Sequence, residues 1–461
     1  MNITRIFIAL LLSCAGACTS AAEPASPPAI DAAASAKLAV EVREEVRHAW
    51  QGYKQYAWGH DDLAPLSKGP HDWYASSLLM TPVDALDTLI ILGLKDEAND
   101  ARELIATKLN FDQDIYVKHF EITIRLLGGL LSSYQLTHDE RLLKLADDLG
   151  TRLLPAFDSP SGLPWVEVNL RTGKTRGNES NPAESGTLLL EYGTLARLTG
   201  KPIYYDKAKR ALVETYNRRG KTGLVGASFD VASGKWIDSD SHIGGGIDSY
   251  YEYLWKCWKL FGDKDCLAMW QTSIAAINRH LADPRDDVLW YRHADMNTGK
   301  HGQTEYGSLH AFFPGLLAYS GDLARARKLE EASFRMWQQN GIEPESFDYA
   351  QFKVLEPSYA LRPEIIESAF YLNRLDASPR WRAIGAQMFA DFRRYCRNEV
   401  GYTALKSVVS KERKDRMESF VFAETFKYFY LLFASKDALD LDTVVLNTEA
   451  HPLRRVVAQG K

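Results

Sequence analysis

Apolar residues recur at three- and four-residue spacing along most of the chain. The segment that contains Leu142, Ala146 and Leu149 is an example. Such spacing is typical of amphipathic helices that bury one face against a core. Alternating patterns that would indicate strands are few and short, and residues 162–172 and 223–236 are the candidates for hairpins or long loops. The pattern therefore predicts an all-α fold.

Short turns of Gly, Asp, Thr or Ser, which are residues that cap helix ends, separate the helical segments. Most of these turns lie roughly 60 residues apart, as in a repeat architecture. They occupy residues 92–95, 136–139, 198–201, 261–263, 320–322, 375–378 and 434–437. Seven helical hairpins in a closed ring would form an (α/α)7 barrel, with the short β-hairpins or loops at one mouth. An open solenoid is the alternative, although its repeats are usually shorter.

Polar groups interrupt the otherwise apolar helix that precedes each turn. They are Asp84, Asp87, Glu121, Arg125, Glu184, Glu191, Asp248, Ser308, His310, Glu364, Glu367, Glu418 and Glu424. If the helix before each turn is the inner one, these groups approach the same mouth of the ring. A buried carboxylate is costly unless it is paired, bound to metal or used in chemistry. Any single group could belong to a structural ion pair, but the set predicts a cavity suited to glycoside hydrolysis.

Charge and hydropathy narrow the possible partners. The net charge is −5 and no long basic run is present, which argues against nucleic acid or an anionic membrane surface as a partner. Beyond the N-terminus, no segment has the roughly 18 consecutive apolar residues of a transmembrane helix. We expect a monomer without a transmembrane segment.

The N-terminus resembles an export signal over residues 1–18, with Arg5 ahead of a short apolar stretch and small residues. Cleavage after Ala17 would give a free protein. A lipoprotein signal, with Cys18 or Cys14 as the lipidated residue, is equally compatible. Residues 19–36 are rich in Ala, Pro and Ser and predict a flexible tether, which leaves 37–461 for the catalytic barrel. The expected location is periplasmic, secreted or lipid-anchored to a bacterial outer membrane.

Three cysteines lie beyond the signal, namely Cys257, Cys266 and Cys396. They match neither a disulfide framework nor a zinc pattern. Cys257 and Cys266 could form a disulfide across a helical turn, or they could remain buried thiols.

Seven sequence blocks resemble, in the same order, the class I α-mannosidases of glycoside hydrolase family 47. They are 53–61, 83–89, 120–131, 248–253, 361–368, 417–425 and 447–453. The resemblance implies an (α/α)7 barrel, which agrees with the count of turns. It also implies inverting hydrolysis of α-1,2-linked mannose from oligosaccharides or N-glycans, with Ca²⁺ bound at the barrel floor.

The resemblance also implies roles for individual carboxylates. Glu121 matches the general acid of the family, thought to act through a water molecule. Glu364 matches the general base, and Asp248 matches a third essential carboxylate that is the alternative base. Glu345 aligns more loosely with a further acidic residue of the catalytic site.

Other matched positions imply contacts with the sugar and the metal. Arg125 and Arg362 match residues that orient the carboxylates and contact the sugar, and Phe420 matches the platform under the ring. Thr448 matches the direct calcium ligand, through its hydroxyl and carbonyl oxygens. The remaining positions expected to bind substrate, or water around the metal, are Glu184, Glu367 and Glu424, with Glu191 as a further candidate for holding water.

Four nearby residues are assigned no chemistry at this point. Asp84 and Asp87 are interpreted as anchors of the first hairpin. Glu449 and His451 are interpreted as structural residues beside Thr448.

Two departures from the processing mannosidases leave the substrate open. Ser308 occupies a position where those enzymes carry His, and Gly246 a position where they carry Arg or Leu. Both segments resemble the ER-degradation-enhancing mannosidase-like branch, and small residues there would widen the mouth on the leaving-group side. The alternatives to a mannosidase are a lectin-like glycan-binding protein on the same barrel and a hydrolase of another sugar, such as a glucoamylase-like enzyme.

Overall fold

The computed structural model describes residues 27–376 and 378–456. The predicted signal lies outside the described residues, as does the first part of the tether. Helix α1 (Ala32–Tyr56) begins earlier than expected, so residues 32–36, predicted as tether, are helical. Asp31 explains this start, because its side chain accepts a hydrogen bond from the Ala34 N–H as an N-cap. No helix of the described ranges is long and apolar enough to cross a membrane.

The longer helices of the described residues pair into seven hairpins around one axis. The inner helices are α2 (Met80–Ile91), α5 (Gly128–Thr137), α8 (Leu189–Thr199), α10 (Asp248–Phe261), α12 (Phe313–Tyr319), α14 (Glu364–Leu375) and α16 (Phe426–Phe433). Their outer partners are α3 (Lys95–Lys108), α6 (Glu140–Leu153), α9 (Ile203–Asn217), α11 (Lys264–His280), α13 (Leu323–Asn340), α15 (Arg380–Cys396) and α1. The ring closes where α1 packs on α16, which confirms the predicted (α/α)7 barrel.

Burial distinguishes the two layers. Inner helix α2 is buried at every residue from Met80 to Leu89, because it packs against neighbours on all sides. Outer helix α6 is buried along one stripe that includes Leu142, Ala146 and Leu149, while its opposite face meets solvent. The apolar spacing in the sequence therefore marks the outer helices.

Six of the seven predicted turns join an inner helix to its outer partner, whereas the seventh, residues 434–437, follows α16 and leads to β18, because the outer partner of α16 is α1. Gly200 and Gly262 follow α8 and α10 with φ of 72°, a left-handed conformation that glycine adopts without strain. Asp263 then caps α11 by accepting from the main-chain N–H groups of Asp265 and Cys266. Capping chemistry in the sequence thus sets the repeat.

Short helices and antiparallel strands lie mainly at the other end of the barrel. The short helices are α4 (His119–Ile122), α7 (Pro182–Gly186), the π-helical segments Thr123–Leu127 and Val421–Thr425, and the 3-10 segments Leu154–Phe157, Ser308–Phe312 and Lys436–Ala438. The sheets are β1 (Asp62–Ala64) with β2 (Gly69–His71); β3 (Tyr116–Lys118), β4 (Glu167–Asn169) and β5 (Thr175–Arg176); β6 (Glu179–Ser180), β7 (Ser228–Asp230) and β8 (Trp236–Asp238); β9 (Asp240–Ser241) with β12 (Ala294–Asp295); β10 (Ala282–Arg285) with β11 (Val288–Tyr291); β13 (Glu305–Gly307), β14 (Ser346–Asp348) and β15 (Lys353–Glu356); β16 (Ala404–Leu405) with β17 (Arg413–Lys414); and β18 (Val444–Leu446) with β19 (Pro452–Arg454).

The last hairpin, β18–β19, enters the barrel from the end where the inner helices finish. Arg197, near the end of α8, donates to the carbonyl of Arg454 at 2.8 Å. The Val456 N–H donates to the carbonyl of Leu260, near the end of α10, at 3.1 Å. The turn of this hairpin, residues 447–451, therefore reaches the axis and forms the floor beneath the mouth.

A disulfide joins Cys257 in α10 to Cys266 in α11, across the turn at Gly262. This resolves the alternative that the sequence left open. Cys396 is a buried free thiol among the described residues.

Candidate active site

A cavity of about 350 Å³ opens at the end of the barrel where the inner helices begin. Carboxylates from different repeats line it, and these are Glu121, Glu184, Asp248, Glu252, Glu364, Glu367, Glu424 and Glu449. Arg125, Arg362 and Thr448 lie among them, and Phe420 supplies an aromatic surface. All the site residues expected from the sequence line this cavity except Glu345 and the further candidate Glu191. Glu252 and Glu449 were not assigned to the site from sequence.

Local backbone geometry brings these side chains to the cavity. Asp248 and Glu364 are the first residues of α10 and α14, where free N–H groups and the helix dipole favour a carboxylate. Glu121 precedes one π-helical segment and Glu424 lies within the other. Such insertions widen a helical turn and are frequent at functional sites.

Arg125 connects the expected acid to the floor. Its Nε donates to Glu121 at 3.0 Å and its NH1 donates to Glu449 at 2.6 Å. The guanidinium lies between two aromatic rings, 5.4 Å from the centroid of Trp73 and 5.6 Å from that of Phe420. Against the cost of burial, Glu449 and Glu121 raise the pKa of Arg125 well above its usual value. Glu121 is therefore held in one orientation by a permanent cation.

Glu345 lies behind the cavity wall rather than on it. It accepts from Nε of Arg362 at 3.0 Å, from the Ala360 N–H at 3.0 Å and from Oγ of Ser308 at 3.0 Å. Arg362 in turn lies 4.0 Å from Glu364. These contacts suit Glu345 to positioning Arg362, and they leave its carboxylate little freedom to meet a substrate.

Asp248 and Glu364 share an unusual electrostatic environment. Burial raises the pKa of Asp248 to about 7, and the nearby carboxylates Glu252 and Glu364 add to the shift. Burial also raises the pKa of Glu364 to about 7, although Arg362 opposes the shift. Oε2 of Glu364 is buried without a hydrogen-bond partner among the described residues. Perturbed carboxyls of this kind are suited to proton transfer near neutral pH.

Glu252 and Lys256 form a buried ion pair on α10 that links the wall to the floor. Lys256 Nζ donates to Glu252 and also approaches the carbonyl of Asn447 at 3.4 Å. Against the cost of burial, Glu252 and Glu367 raise the pKa of Lys256. The sequence signal that could have identified this pair is the four-residue spacing between Glu252 and Lys256 within a helix.

The turn that carries Thr448 is fixed from several sides. Asn447 donates to the carbonyl of Ile124 at 2.9 Å and to Glu191 at 2.7 Å. Its side-chain oxygen Oδ1 accepts from the main-chain N–H groups of Glu449 and His451. These bonds hold the hydroxyl and carbonyl of Thr448 beneath the cavity before any ligand arrives.

A buried charge network lies below this turn. Lys427 pairs with Asp87 at 2.9 Å and donates to the carbonyl of Ala450 at 2.7 Å. His451 contacts Asp87 at 2.7 Å and Asp84 at 3.3 Å. Burial alone would lower the pKa of His451, but Asp87 and Asp84 raise it to about 9. Asp84 and Asp87 therefore connect the first hairpin to the floor, which is a wider role than the sequence suggested.

The donor set at the floor suits a hard divalent cation. Thr448, Glu367 and Glu424 line the cavity together and offer oxygen atoms only. Burial raises the pKa of Glu367 to about 8 and the pKa of Glu191 to about 8, and it raises that of Glu424 well above its usual range. Nearby positive charge would relieve this cost, and Oε2 of Glu191 has no partner among the described residues.

Residues 45–455 match the model of glycosyl hydrolase family 47. Alpha-mannosidase I MNS5 of Arabidopsis thaliana is 35% identical over 441 residues, which are 89% of this chain and 75% of the relative. The endoplasmic reticulum mannosyl-oligosaccharide 1,2-alpha-mannosidase of Rattus norvegicus is 38% identical over 445 residues, which are 88% and 66% of the two chains.

Human ER degradation-enhancing alpha-mannosidase-like protein 3 is 35% identical over 439 residues. The match covers 88% of this chain and 47% of that relative, so the chain spans about half of its length. Among solved structures, an alpha-1,2-mannosidase from Trichoderma reesei superimposes with a TM-score of 0.84 at 28% identity, covering 94% of this chain and all of that one.

Proposed function

The chain belongs to glycosyl hydrolase family 47, and from this premise we propose that it removes terminal α-1,2-linked mannose from oligosaccharides or N-glycans. The observation that carries the proposal is the convergence of Glu121, Asp248 and Glu364 on one cavity, with Phe420 beside them. One relative is named as a mannosyl-oligosaccharide 1,2-alpha-mannosidase, and another as an ER degradation-enhancing alpha-mannosidase-like protein.

Glu121 is proposed as the acid and Glu364 as the base. Protonation of the leaving oxygen by Glu121, directly or through a water, would be assisted by Arg125, which fixes the carboxylate. Glu364 would take a proton from the water that attacks the anomeric carbon. An acid and a base on opposite faces of the sugar invert the anomeric configuration. The raised pKa of Glu364 makes its carboxylate a stronger base than an exposed one.

The sugar ring is proposed to lie on Phe420. Arg362 lies 5.7 Å from the centroid of this ring and Arg125 lies 5.6 Å from it, so two guanidinium groups border the aromatic surface. Such a site offers an apolar face for the C–H groups of a hexose and hydrogen-bond donors for its hydroxyls.

Thr448 would hold a calcium ion through its hydroxyl and carbonyl oxygens, and Glu367, Glu424 and Glu191 would hold the surrounding water. When bound, calcium would draw in the sugar hydroxyls and favour a distorted ring. Support for this assignment is the oxygen-only donor set and the raised pKa of its carboxyls.

Proton NMR of α-1,2-mannobiose hydrolysis, with added calcium and after chelation, tests the proposal. We expect mannose to appear first as the β-anomer and the rate to fall at least about a hundredfold on chelation. Release of the α-anomer first would contradict inversion. Binding of the disaccharide without turnover by folded, calcium-loaded protein would favour a glycan-binding role.

Substitution of the two candidate bases distinguishes them. Glu364→Gln is expected to lower kcat by about a thousandfold or more, because the isosteric amide accepts no proton. Asp248→Asn is expected to retain more activity if Asp248 only positions water. The reverse order of residual activities would assign Asp248 as the base. Glu179→Gln, an exposed substitution on β6, serves as the matched control.

We also infer that the protein works outside the cytoplasm, either free or lipid-anchored. The N-terminal sequence supports export, and the disulfide between Cys257 and Cys266 is of a kind that persists in oxidising compartments. The mass of the mature N-terminus, measured after cell fractionation, separates a lipidated Cys18 from cleavage after Ala17. Recovery of the uncleaved chain in the cytoplasm would contradict export.

A further inference from the structure

Three histidines that are distant in the sequence form a cluster behind the cavity wall. Their ring centroids are separated by 4.5 Å for His242 and His293, 5.8 Å for His242 and His310, and 6.0 Å for His293 and His310. His293 and His310 are more than nine-tenths buried, and Nε2 of each has no partner among the described residues. The catalytic proposal makes no use of this cluster.

Hydrogen bonds to the Nδ1 atoms define the protonation of each ring. The Gly244 N–H donates to Nδ1 of His242 at 3.1 Å, and the Gly307 N–H donates to Nδ1 of His310 at 3.1 Å. These two neutral rings therefore carry their proton on Nε2. Nδ1 of His293 lies 2.6 Å from Asp240, so in the neutral ring it carries the proton and Nε2 has the lone pair.

This pattern does not suit a transition metal. A zinc ion bound by three histidines needs a lone pair from each ring. Here only His293 offers one at Nε2, because His242 and His310 present N–H groups there. The cluster instead suits a hydrogen-bonded arrangement of neutral rings, in which a water molecule could accept two bonds and donate the third.

One chain of hydrogen bonds connects the cluster to Asp248. The N–H of Gly244 is held by His242, and the carbonyl of Gly244 accepts from the Asp248 N–H at 3.0 Å, at the start of α10. Gly244 also packs so closely on the His310 ring that an added Cβ would lie 2.1 Å from Cε1. The position of Asp248 thus depends on two of the three rings.

A second chain connects the cluster to Glu364. His310 holds the N–H of Gly307, which immediately precedes Ser308. Ser308 donates to Glu345 at 3.0 Å, Glu345 binds Arg362, and Arg362 lies 4.0 Å from Glu364. Gly245, Gly246, Leu309 and Phe312, on the same two segments, line the cavity.

We propose that His242 and His310 are positioning residues for Asp248 and Glu364, and that they act only while their Nδ1 atoms are unprotonated. A proton added at Nδ1 would face the N–H of Gly244 or Gly307, so an attractive bond would become a repulsive contact. Acidification would then free two segments of the cavity wall, residues 242–250 and 305–315, from their contacts with the cluster. The inference rests on the proposed function only in treating Asp248 and Glu364 as the working carboxylates.

The surroundings of the cluster oppose protonation. Burial lowers the pKa of His242 to about 4, with a further lowering by His293 and an opposing effect of Asp240 from β9. Burial lowers the pKa of His310 well below its usual value, and the other two rings add to this. Tyr306 from β13 is the further titratable group that packs on His310. Because the folded pKa values lie below that of an unfolded histidine, stability is fully present above about pH 6.5 and is lost as the pH falls through that range towards about 4.

Hydrogen exchange of the intact, calcium-loaded protein, followed by mass spectrometry at about pH 7 and about pH 4, tests the proposal without requiring turnover. After correction for intrinsic exchange, we expect segments 242–250 and 305–315 to lose protection about tenfold or more at the lower pH. Outer helices such as α6 should retain theirs. Equal loss in all segments would indicate global unfolding and overturn the proposal.

Two substitutions at one position separate hydrogen bonding from titration. His310→Asn places an amide oxygen near the position of Nδ1 but cannot be protonated. The variant should therefore keep mannoside hydrolysis at neutral pH, and its segment 305–315 should stay protected both at neutral pH and at about pH 4. His310→Phe removes the acceptor and should lose protection at both pH values. His138→Asn, at the far end of α5, is the control. If segment 305–315 of His310→Asn loses protection in acid as it does in the wild type, titration of His310 is not the cause and the proposal is overturned.

A metal-binding measurement tests the proposed tautomers of the histidine cluster independently. The protein is exposed to excess zinc, desalted and analysed for bound metal. We expect no zinc that depends on His293. Stoichiometric zinc that disappears in His293→Asn would overturn the proposed tautomers.

Discussion

The charge network beneath the floor and a pair of acids in the barrel wall are equally buried, yet the pKa values of their carboxyl groups shift in opposite directions. In the network, Asp87 contacts Lys427 and His451, and all three side chains are fully buried. In the wall, Glu330 and Glu343 are also fully buried, but no oxygen of either carboxyl has a hydrogen-bond partner among the described residues. Burial alone therefore does not decide whether a group is ionised.

The direction of each pKa shift depends on whether the buried carboxyl group has positively charged partners. Although burial raises the pKa of Asp87, Lys427 and His451 lower it well below its usual range. Burial raises the pKa of Glu330 and of Glu343 well above the usual range. Nearby carboxylates raise both values further, because they oppose ionisation. The floor thus keeps its charges and holds the turn of Thr448, whereas the pKa shifts of Glu330 and Glu343 favour their neutral forms.

Removal of the floor cation should give the largest effect. Lys427→Met leaves Asp87 without its main counter-charge, and we expect a loss of about 3–5 kcal/mol in the free energy of unfolding. Urea denaturation near neutral pH measures it. The double variant Lys427→Met, Asp87→Asn should recover much of the loss, because no buried charge is left unpaired. Equal losses in the single and double variants would show that packing, not charge, is responsible.

Titration of the same network should give the next largest effect. The pKa of His451 is raised to about 9, so its contribution is fully present below the unfolded value and is lost as the pH rises through about 9. The shift corresponds to about 3 kcal/mol between pH values near 6 and 9.5. His451→Gln should be less stable at the lower pH and should change less across this range. A parallel pH dependence in variant and wild type would contradict the assignment.

Removal of a wall acid should have the smallest effect and the opposite sign. Glu330→Gln cannot ionise, so it should raise the free energy of unfolding by about 1 kcal/mol or more near pH 7.5 and change it little near pH 4. The native wild type binds more protons than the unfolded chain between these values, so its stability falls as the pH rises. Glu331→Gln, next on the same helix and paired with Arg380, is the control and should not stabilise.

The repeat of helices could be predicted because it is a local property. Capping residues such as Gly262 and Asp263 mark the turns, and apolar stripes such as that of α6 mark the outer helices. The start of α1 could not be predicted from composition, because the Asp31 cap and the hydrogen bond from Oγ of Ser35 to the carbonyl of Phe433 extend the helix into a segment rich in alanine. The matched family motifs likewise indicated which residues would meet at the cavity, and all of them except Glu345 and the further candidate Glu191 line it.

The sequence by itself determined six of the seven helix pairs and the set of carboxylates that the inner helices carry, since both depend on residues close together in the chain. The seventh pair, α1 with α16, forms only when the ring closes. The tertiary structure alone decided which partner each buried group finds. Asp87 meets Lys427 and His451 more than three hundred residues away, and His310 meets His242 and His293. Those contacts exist only when the ring has closed, and they fix protonation, because the energy of a buried charge depends on the groups that surround it.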